Sequence, residues 1–257
     1  MNKKNLTDKN CEKVTPYDDG KAKGEQVKTM FNTISHSYDL MNTAMSFGLH
    51  KFWRNCALRQ AMRHFPPQAS LRILDVATGT GDVAFDLNRR FPKAMITGID
   101  ISDGMLGVAR KKLDQAGDSA NSHITFRHGD SLNIRANDGT FDLVTVAYGV
   151  RNFQDLLAGY REIHRVLRPG GKLCVIELSE PRNSVAHAGY RFYSRSLIPR
   201  IGRLVSGDHR AYSYLLESIA ESPQRDDMTA LMEEAGFHDC SWTGLTMGVV
   251  TIYWAVK

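Results

Sequence analysis

Sulfur is sparse and scattered: the four cysteines, Cys11, Cys56, Cys174 and Cys240, form no CxxC pair and no Cys/His spacing. That pattern excludes a disulfide framework and a finger-type metal site, so no metal is expected and a reducing cytoplasm fits. Long apolar runs are also missing. No stretch reaches the roughly 18–20 apolar residues of a membrane span, and the polar opening MNKKNLTDKNCEKVTPYDD lacks the apolar core of a signal peptide. Acidic residues are absent from 181–207, a segment that holds Arg182, Arg191, Arg195, Arg200 and Arg203. The net charge of +5 is too modest to indicate nucleic acid by itself, so the basic character is local.

What is present is an apolar fraction of 42% in 257 residues, enough to close one sizeable α/β core. Residues 1–22 show no periodicity and are expected to be a mobile tail, followed by a single domain over 23–257. From 23 to 70, Val27, Phe31 and Ile34, then Phe52, Cys56, Leu58 and Met62, recur near helical spacing around a turn at Ser46–Gly48. From 71 to 184, short apolar runs alternate with amphipathic stretches, the pattern of a parallel sheet flanked by helices. The strands are expected at 72–77, 95–101, 124–128, 141–147 and 172–178, and the helices at 82–91, 103–116 and 155–167. A helical insertion over 185–235 follows. Two last strands, at 237–245 and 249–256, read as an antiparallel hairpin at the sheet edge, within a terminal segment of 236–257.

The first strand runs into LDVATGTGDVA, which puts Gly79 and Gly81 where backbone must approach a ligand. GTGDVA also matches the dinucleotide fingerprint in its G-x-G-x-x-A form, so a nicotinamide enzyme is a competing reading. Charge separates the two. Asp75 and Asp82 flank the position of a pyrophosphate and would repel it, whereas they favour the sulfonium and ammonium of S-adenosylmethionine. Asp100, with Ile101, ends the second strand and is placed to accept from ribose hydroxyls. Asp130 and Ser131 end the third strand beside the adenine edge, and Ala147 ends the fourth, facing the methyl group. For Asp82 and Asp103 a helix-start role is an equal alternative.

The motif D-x-x-x-G-x-G resembles the first motif of class I methyltransferases, whose fold is a Rossmann-like, seven-stranded, mostly parallel sheet ending in a reversed hairpin. Two segments narrow the resemblance. Tyr38-Asp39-Leu40-Met41-Asn42, with Ser46-Phe47-Gly48-Leu49-His50 and Trp53, is similar to one signature of the ubiquinone/menaquinone biosynthesis C-methyltransferase family. Gly149-Val150-Arg151-Asn152-Phe153, continuing through Arg165–Gly171 to Glu177–Pro181, is similar to another. The resemblance runs from about residue 24 to the C-terminus. It implies that Thr80, Asp100, Asp130 and Ser131 carry S-adenosylmethionine, and that Ala147 stands where the family often has Ser. It implies as activity the conversion of demethylmenaquinol to menaquinol, with methylation of a ubiquinol precursor as the alternative.

Methyl transfer from a sulfonium needs a positioned nucleophile rather than a metal or covalent intermediate. A quinol becomes nucleophilic at carbon by losing a phenolic proton, so a base or a cationic stabiliser is useful. Arg151 is expected to stabilise the phenolate and Asn152 to orient the ring oxygen. Tyr38, Asp39 and His50 are candidates for a proton acceptor, against packing or capping roles for Tyr38 and His50, and Glu177 ranks below Arg151 because a strand-end carboxylate serves equally as an ion-pair partner. Tyr190, Phe192, Tyr193, Leu197 and Ile198 among the arginines of 185–206 suit a lid beside a lipophilic substrate or an anionic membrane surface, or equally a solvated helix packed on the domain. An RNA methyltransferase is disfavoured, because Ala147–Asn152 lacks both an Asn/Asp-Pro-Pro-aromatic segment and a cysteine nucleophile. A cofactor-binding protein without catalysis is the non-enzymatic rival, and a homodimer is the default assembly.

Overall fold

The computed structural model describes residues 10–117, 123–197 and 209–257. Three helices, α1 (Lys23–Ile34), α2 (Tyr38–Ser46) and α3 (Leu49–His64), precede the sheet. The core then alternates β1 (Arg72–Val76), α4 (Asp82–Arg90), β2 (Met95–Asp100), α5 (Asp103–Ala116), β3 (Ile124–His128), β4 (Phe141–Ala147), α6 (Leu156–Val166) and β5 (Leu167–Leu178). Helices α7 (Ser184–Phe192), α8 (His209–Glu221) and α9 (Asp226–Glu234) come before β6 (His238–Leu245) and β7 (Val250–Val256). The sheet has seven strands in the order β3-β2-β1-β4-β5-β7-β6. The first five pair in parallel, and β7 runs antiparallel to both β5 and β6. This is the expected Rossmann-like architecture with its terminal hairpin.

The strands read as near-continuous apolar runs because both faces of the sheet are covered. Along β1 and β4, Ile73 and Leu143 pack under α3, α4 and α5, while Leu74, Val76, Val144 and Val146 pack under α6 and α9. A third cluster, with Val27, Met30 and Ile34 of α1, Met41 of α2, Met105 of α5 and Tyr212 and Tyr214 of α8, lies at the carboxyl ends of the strands. Because β1 and β4 are sequence-distant but adjacent, the order reverses between them, and the crevice beyond their carboxyl ends is where ligands bind in such sheets.

Two expectations change. The tail expected over 1–22 is docked from Asn10 onward: Cys11 is fully buried, and the Glu12 carboxylate accepts from the Leu156 backbone N–H. A short polar segment without periodicity carries no pattern, yet one buried side chain and one capped helix start suffice to fix it. The fifth strand starts at Leu167 rather than Lys172, because Pro169 and Gly170 end α6 without delaying pairing; the Gly170 N–H already bonds to the Lys257 carbonyl. Residues 198–208 of the insertion, with Arg200 and Arg203, and the Arg195 side chain lie outside the described residues.

Candidate active site

The β1–α4 loop curls through three left-handed residues, Ala77 (φ 53°), Gly79 (φ 58°) and Gly81 (φ 85°). Gly81 has no substitute there, since a Cβ would stand 2.6 Å from the Phe126 ring in addition to the strained φ. The Gly79 N–H donates to Asp100 at 2.8 Å, and the Ser102 N–H donates to the other carboxylate oxygen at 2.8 Å. Each Asp100 oxygen keeps a further lone pair, so the carboxylate can accept from a vicinal diol as a ribose requires. Burial raises its pKa.

Asp75 and Asp82 do not present the free negative charge that the sequence argument assigns them. Asp75 is buried, and both its oxygens accept hydroxyls, from Thr78 and Thr145, each at 2.6 Å. Burial pushes its pKa up to about 6 against those two bonds. Asp82 lies in the first turn of α4, paired with Arg54 and Lys112, both at 2.9 Å. Asp75 therefore shapes the loop through threonine hydroxyls, and Asp82 ties α4 to α3 and α5. Asp103 likewise stands in the first turn of α5, where Ser102 supplies the cap.

At the end of β4, Tyr148 adopts φ 58°, a strained conformation for an aromatic residue and a frequent mark of a functional site. The chain then makes a short turn over Val150–Asn152. Arg151 is buried, and its Nη1 donates to Glu177 at 2.7 Å and to the Tyr148 carbonyl at 2.5 Å. Its Nε is buried with no hydrogen-bond partner among the described residues. Two further elements hold the turn: Lys23 Nζ of α1 donates to the Arg151 carbonyl at 2.9 Å, and the Tyr214 hydroxyl of α8 donates to Asn152 Oδ1 at 2.9 Å. Since Oδ1 accepts from Tyr214, the Asn152 Nδ2 is the donor toward the Tyr148 carbonyl and the space beyond.

A cavity of about 890 Å³ joins these parts. Among its walls are Thr78, Gly79 and Thr80 of the loop, and Ala147, Arg151 and Asn152 of the β4 end. The preface supplies Tyr38, Asp39 and His50, so the three proton-acceptor candidates reach the same space. Asp39 accepts the Thr80 hydroxyl at 2.6 Å and pairs with Lys112 at 2.5 Å, which latches α2 onto the glycine loop. Asp75 also lines the cavity. Gly81, Asp100, Ile101, Asp130 and Ser131 do not, and lie toward β2 and β3; the Asp130 carboxylate accepts from the Leu132 N–H. Glu177 proves to be the partner of Arg151. Lys23 and Tyr214 escaped sequence reasoning, since one lysine at a helix start and one tyrosine in a helical pattern carry no local signal. The loop, a carboxylate with acceptor capacity to spare and the roomy cavity suit S-adenosylmethionine.

A model described as the ubiE/COQ5 methyltransferase family matches residues 19–257. The chain is 41% identical over 247 residues to a demethylmenaquinone methyltransferase of Porphyromonas gingivalis, covering 96% of this chain and 98% of that protein. It is 39% identical to a ubiquinone/menaquinone biosynthesis C-methyltransferase UbiE of Geobacter sulfurreducens, over 91% of this chain and 90% of the other. In fold it is similar to an S-adenosylmethionine-dependent methyltransferase of Thermotoga maritima described as a possible histamine N-methyltransferase, with TM-score 0.60, 18% identity, and coverage of 89% of this chain and 99% of that one. Motifs, sheet order and site agree with that match, and the chain belongs to the ubiE/COQ5 methyltransferase family.

Proposed function

We propose that this chain transfers a methyl group from S-adenosylmethionine to a ring carbon of a prenylated quinol, converting demethylmenaquinol to menaquinol. The observation that carries the reading is the cavity. At about 890 Å³ it stands near the upper end of the roughly 300–1,000 Å³ of small-molecule sites, and its walls are mainly apolar. It runs from the glycine loop to the Arg151–Asn152 turn, so one space serves a methyl donor and a lipophilic ring. Bound there, S-adenosylmethionine supplies an electrophilic methyl group on a sulfonium. Thr80 in the cavity wall and Asp100 just beyond it toward β2 would hold it, with Asp130 and Ser131 on the adenine side. Arg151, anchored by Glu177, offers its remaining N–H groups to the ring oxygen as phenolate character develops, and Asn152 Nδ2 fixes the ring's orientation.

The cavity mouth supports contact with a lipid surface. Val185 and Met247 at its rim are 80% and 78% exposed, and Phe47, in a left-handed turn, is 72% exposed. Arg191 and Phe192 of α7 are also exposed, and the sequence onward to residue 207 adds Arg195, Arg200 and Arg203. Apolar side chains beside a sequence rich in arginine suit an anionic interface that delivers a water-insoluble substrate. Cosedimentation with phosphatidylglycerol vesicles, lost when Phe47 and Met247 are changed to Ser, supports this contact, and unchanged binding defeats it.

The benzoquinol reading is favoured by the likeness to a relative named for both quinones. Incubation with labelled S-adenosylmethionine and, separately, demethylmenaquinol and the demethylated ubiquinol precursor tests the two readings. Label in menaquinol supports the first, label in the benzoquinol product alone the second, and label in neither refutes both.

A further inference from the structure

Replacing a ring hydrogen by a methyl group frees one proton per turnover, here inside a cavity with mainly apolar walls. A second, polar cavity of about 540 Å³ lies beside it, with Lys51, Asn55 and Asp86 on its far side. Four residues line both cavities: Asp39, His50, Arg54 and Asp82. Three are already committed. Asp39 holds Thr80 and Lys112, Arg54 pairs with Asp82 and Asp86, and Asp82 pairs with Lys112 as well. His50 Nε2 is the one remaining side-chain atom in this group that makes no protein hydrogen bond among the described residues while being able to take up a proton near neutral pH.

The neighbouring serine sets the imidazole tautomer. Ser46 Oγ lies 2.6 Å from the Asn42 carbonyl, a contact that two acceptors would not make, so the serine proton points there. Ser46 Oγ also lies 2.7 Å from His50 Nδ1, and with its own proton spent it can only accept. His50 therefore carries its proton on Nδ1 and presents a bare lone pair at Nε2. The field around the ring keeps it neutral. Burial lowers its pKa most, and Arg54 of its own helix lowers it next; Asp82 of α4 opposes them, followed by a smaller lowering from Lys51 and a smaller raising from Asp39 of α2, and the net shift is downward.

We propose that His50 is the proton acceptor of the reaction: its Nε2 takes the released proton through a bridging water and passes it to solvent by way of the polar cavity, with Ser46 as the residue that positions the ring. The electron pair of the broken bond to hydrogen stays on the quinol, and the imidazolium returns to neutral by releasing the same proton to water in the polar cavity, so nothing else is consumed. With Asp39, Arg54 and Asp82 held in their ion pairs, this histidine is the uncommitted proton acceptor at the boundary that the two spaces share. The proposal rests on the quinol reading above.

Four measurements test it. Nitrogen-15 spectra of histidine-labelled wild-type protein at neutral pH are expected to show His50 protonated on Nδ1 and bare at Nε2; the opposite tautomer overturns the proposal. His50→Gln should transfer methyl about a hundredfold more slowly, the usual scale of a lost general base, with calorimetric affinity for S-adenosylmethionine within about twofold of wild type. Free imidazole should restore part of the rate to His50→Ala, and absence of rescue counts against the relay. Ser46→Ala releases the tautomer, so its rate should fall about tenfold and the acid limb of the pH profile should move. Wild-type protein that methylates neither quinol refutes the underlying reading, whereas normal wild-type transfer with an unaffected His50→Gln overturns the relay alone.

Discussion

Glu177→Gln is the most informative single change to the site. The Arg151–Glu177 pair is 2.7 Å long, with side chains 7% and 2% exposed, so neither charge is solvated once its partner is gone. Glutamine preserves shape and an acceptor for the Leu178 N–H, and removes the charge together with the second acceptor oxygen, which receives only a long 3.4 Å contact from the Arg151 N–H. Breaking a buried ion pair from one side destabilises by about 3–5 kcal/mol, because the remaining charge is left uncompensated. For a domain of this size each kcal/mol moves Tm by roughly 2–4 °C, so a fall of about 10 °C is expected by calorimetry or circular dichroism. The double change Arg151→Met with Glu177→Leu removes both charges and should recover most of that stability while transferring no methyl group. Recovery without activity separates the cost of an orphaned charge from the role of the guanidinium. A Glu177→Gln protein melting within a degree of wild type, or a double variant no more stable than the single one, would refute the reasoning.

The other predictions concern separate parts of the site. Tyr214→Phe removes the donor that fixes the Asn152 amide; quinol kcat/KM should fall about five- to tenfold, equivalent to about 1 kcal/mol, with S-adenosylmethionine affinity unchanged in calorimetry. Asp100→Ala removes a carboxylate that holds the Gly79 loop and, in the proposed site, would accept from a ribose, so calorimetric affinity for S-adenosylmethionine should drop at least about tenfold. Asp75 gives a pH signature. Its pKa rises from an ordinary 3.8 to about 6 on folding, chiefly through burial, so between those values the folded state binds more protons than the unfolded one. Stability should therefore fall as pH rises from about 4 to about 6, by up to about 3 kcal/mol at 1.36 kcal/mol per pH unit. Asp75→Asn should flatten that segment of the urea-unfolding profile, and an identical slope would discount the buried carboxylate.

The sheet was legible because parallel strands covered on both faces leave dense apolar runs such as those of β1, β4 and β5, and because Gly79 and Gly81 mark a turn that few other residues can make. Asp100 was legible for the same reason: it stands at a strand end at a set distance from the glycine loop. What escaped depends on contacts between distant segments. Lys23 meets Arg151 across 128 positions, and Trp53 donates to Thr246 across 193. The sign of a carboxylate could be read from sequence but not its company, so Asp75 and Asp82 looked free while threonines, Arg54 and Lys112 held them. The docked segment at Cys11 and Glu12 escaped because one buried thiol and one capping carboxylate leave no periodic trace.

The direct test of the account is a single-turnover experiment with labelled S-adenosylmethionine, comparing demethylmenaquinol with its oxidised quinone. An Arg151-stabilised phenolate requires the reduced ring, so label should enter the ring methyl of the quinol product and the quinone should remain unlabelled. Equal labelling of the quinone, or no labelling of the quinol by folded protein that binds the methyl donor, would contradict it.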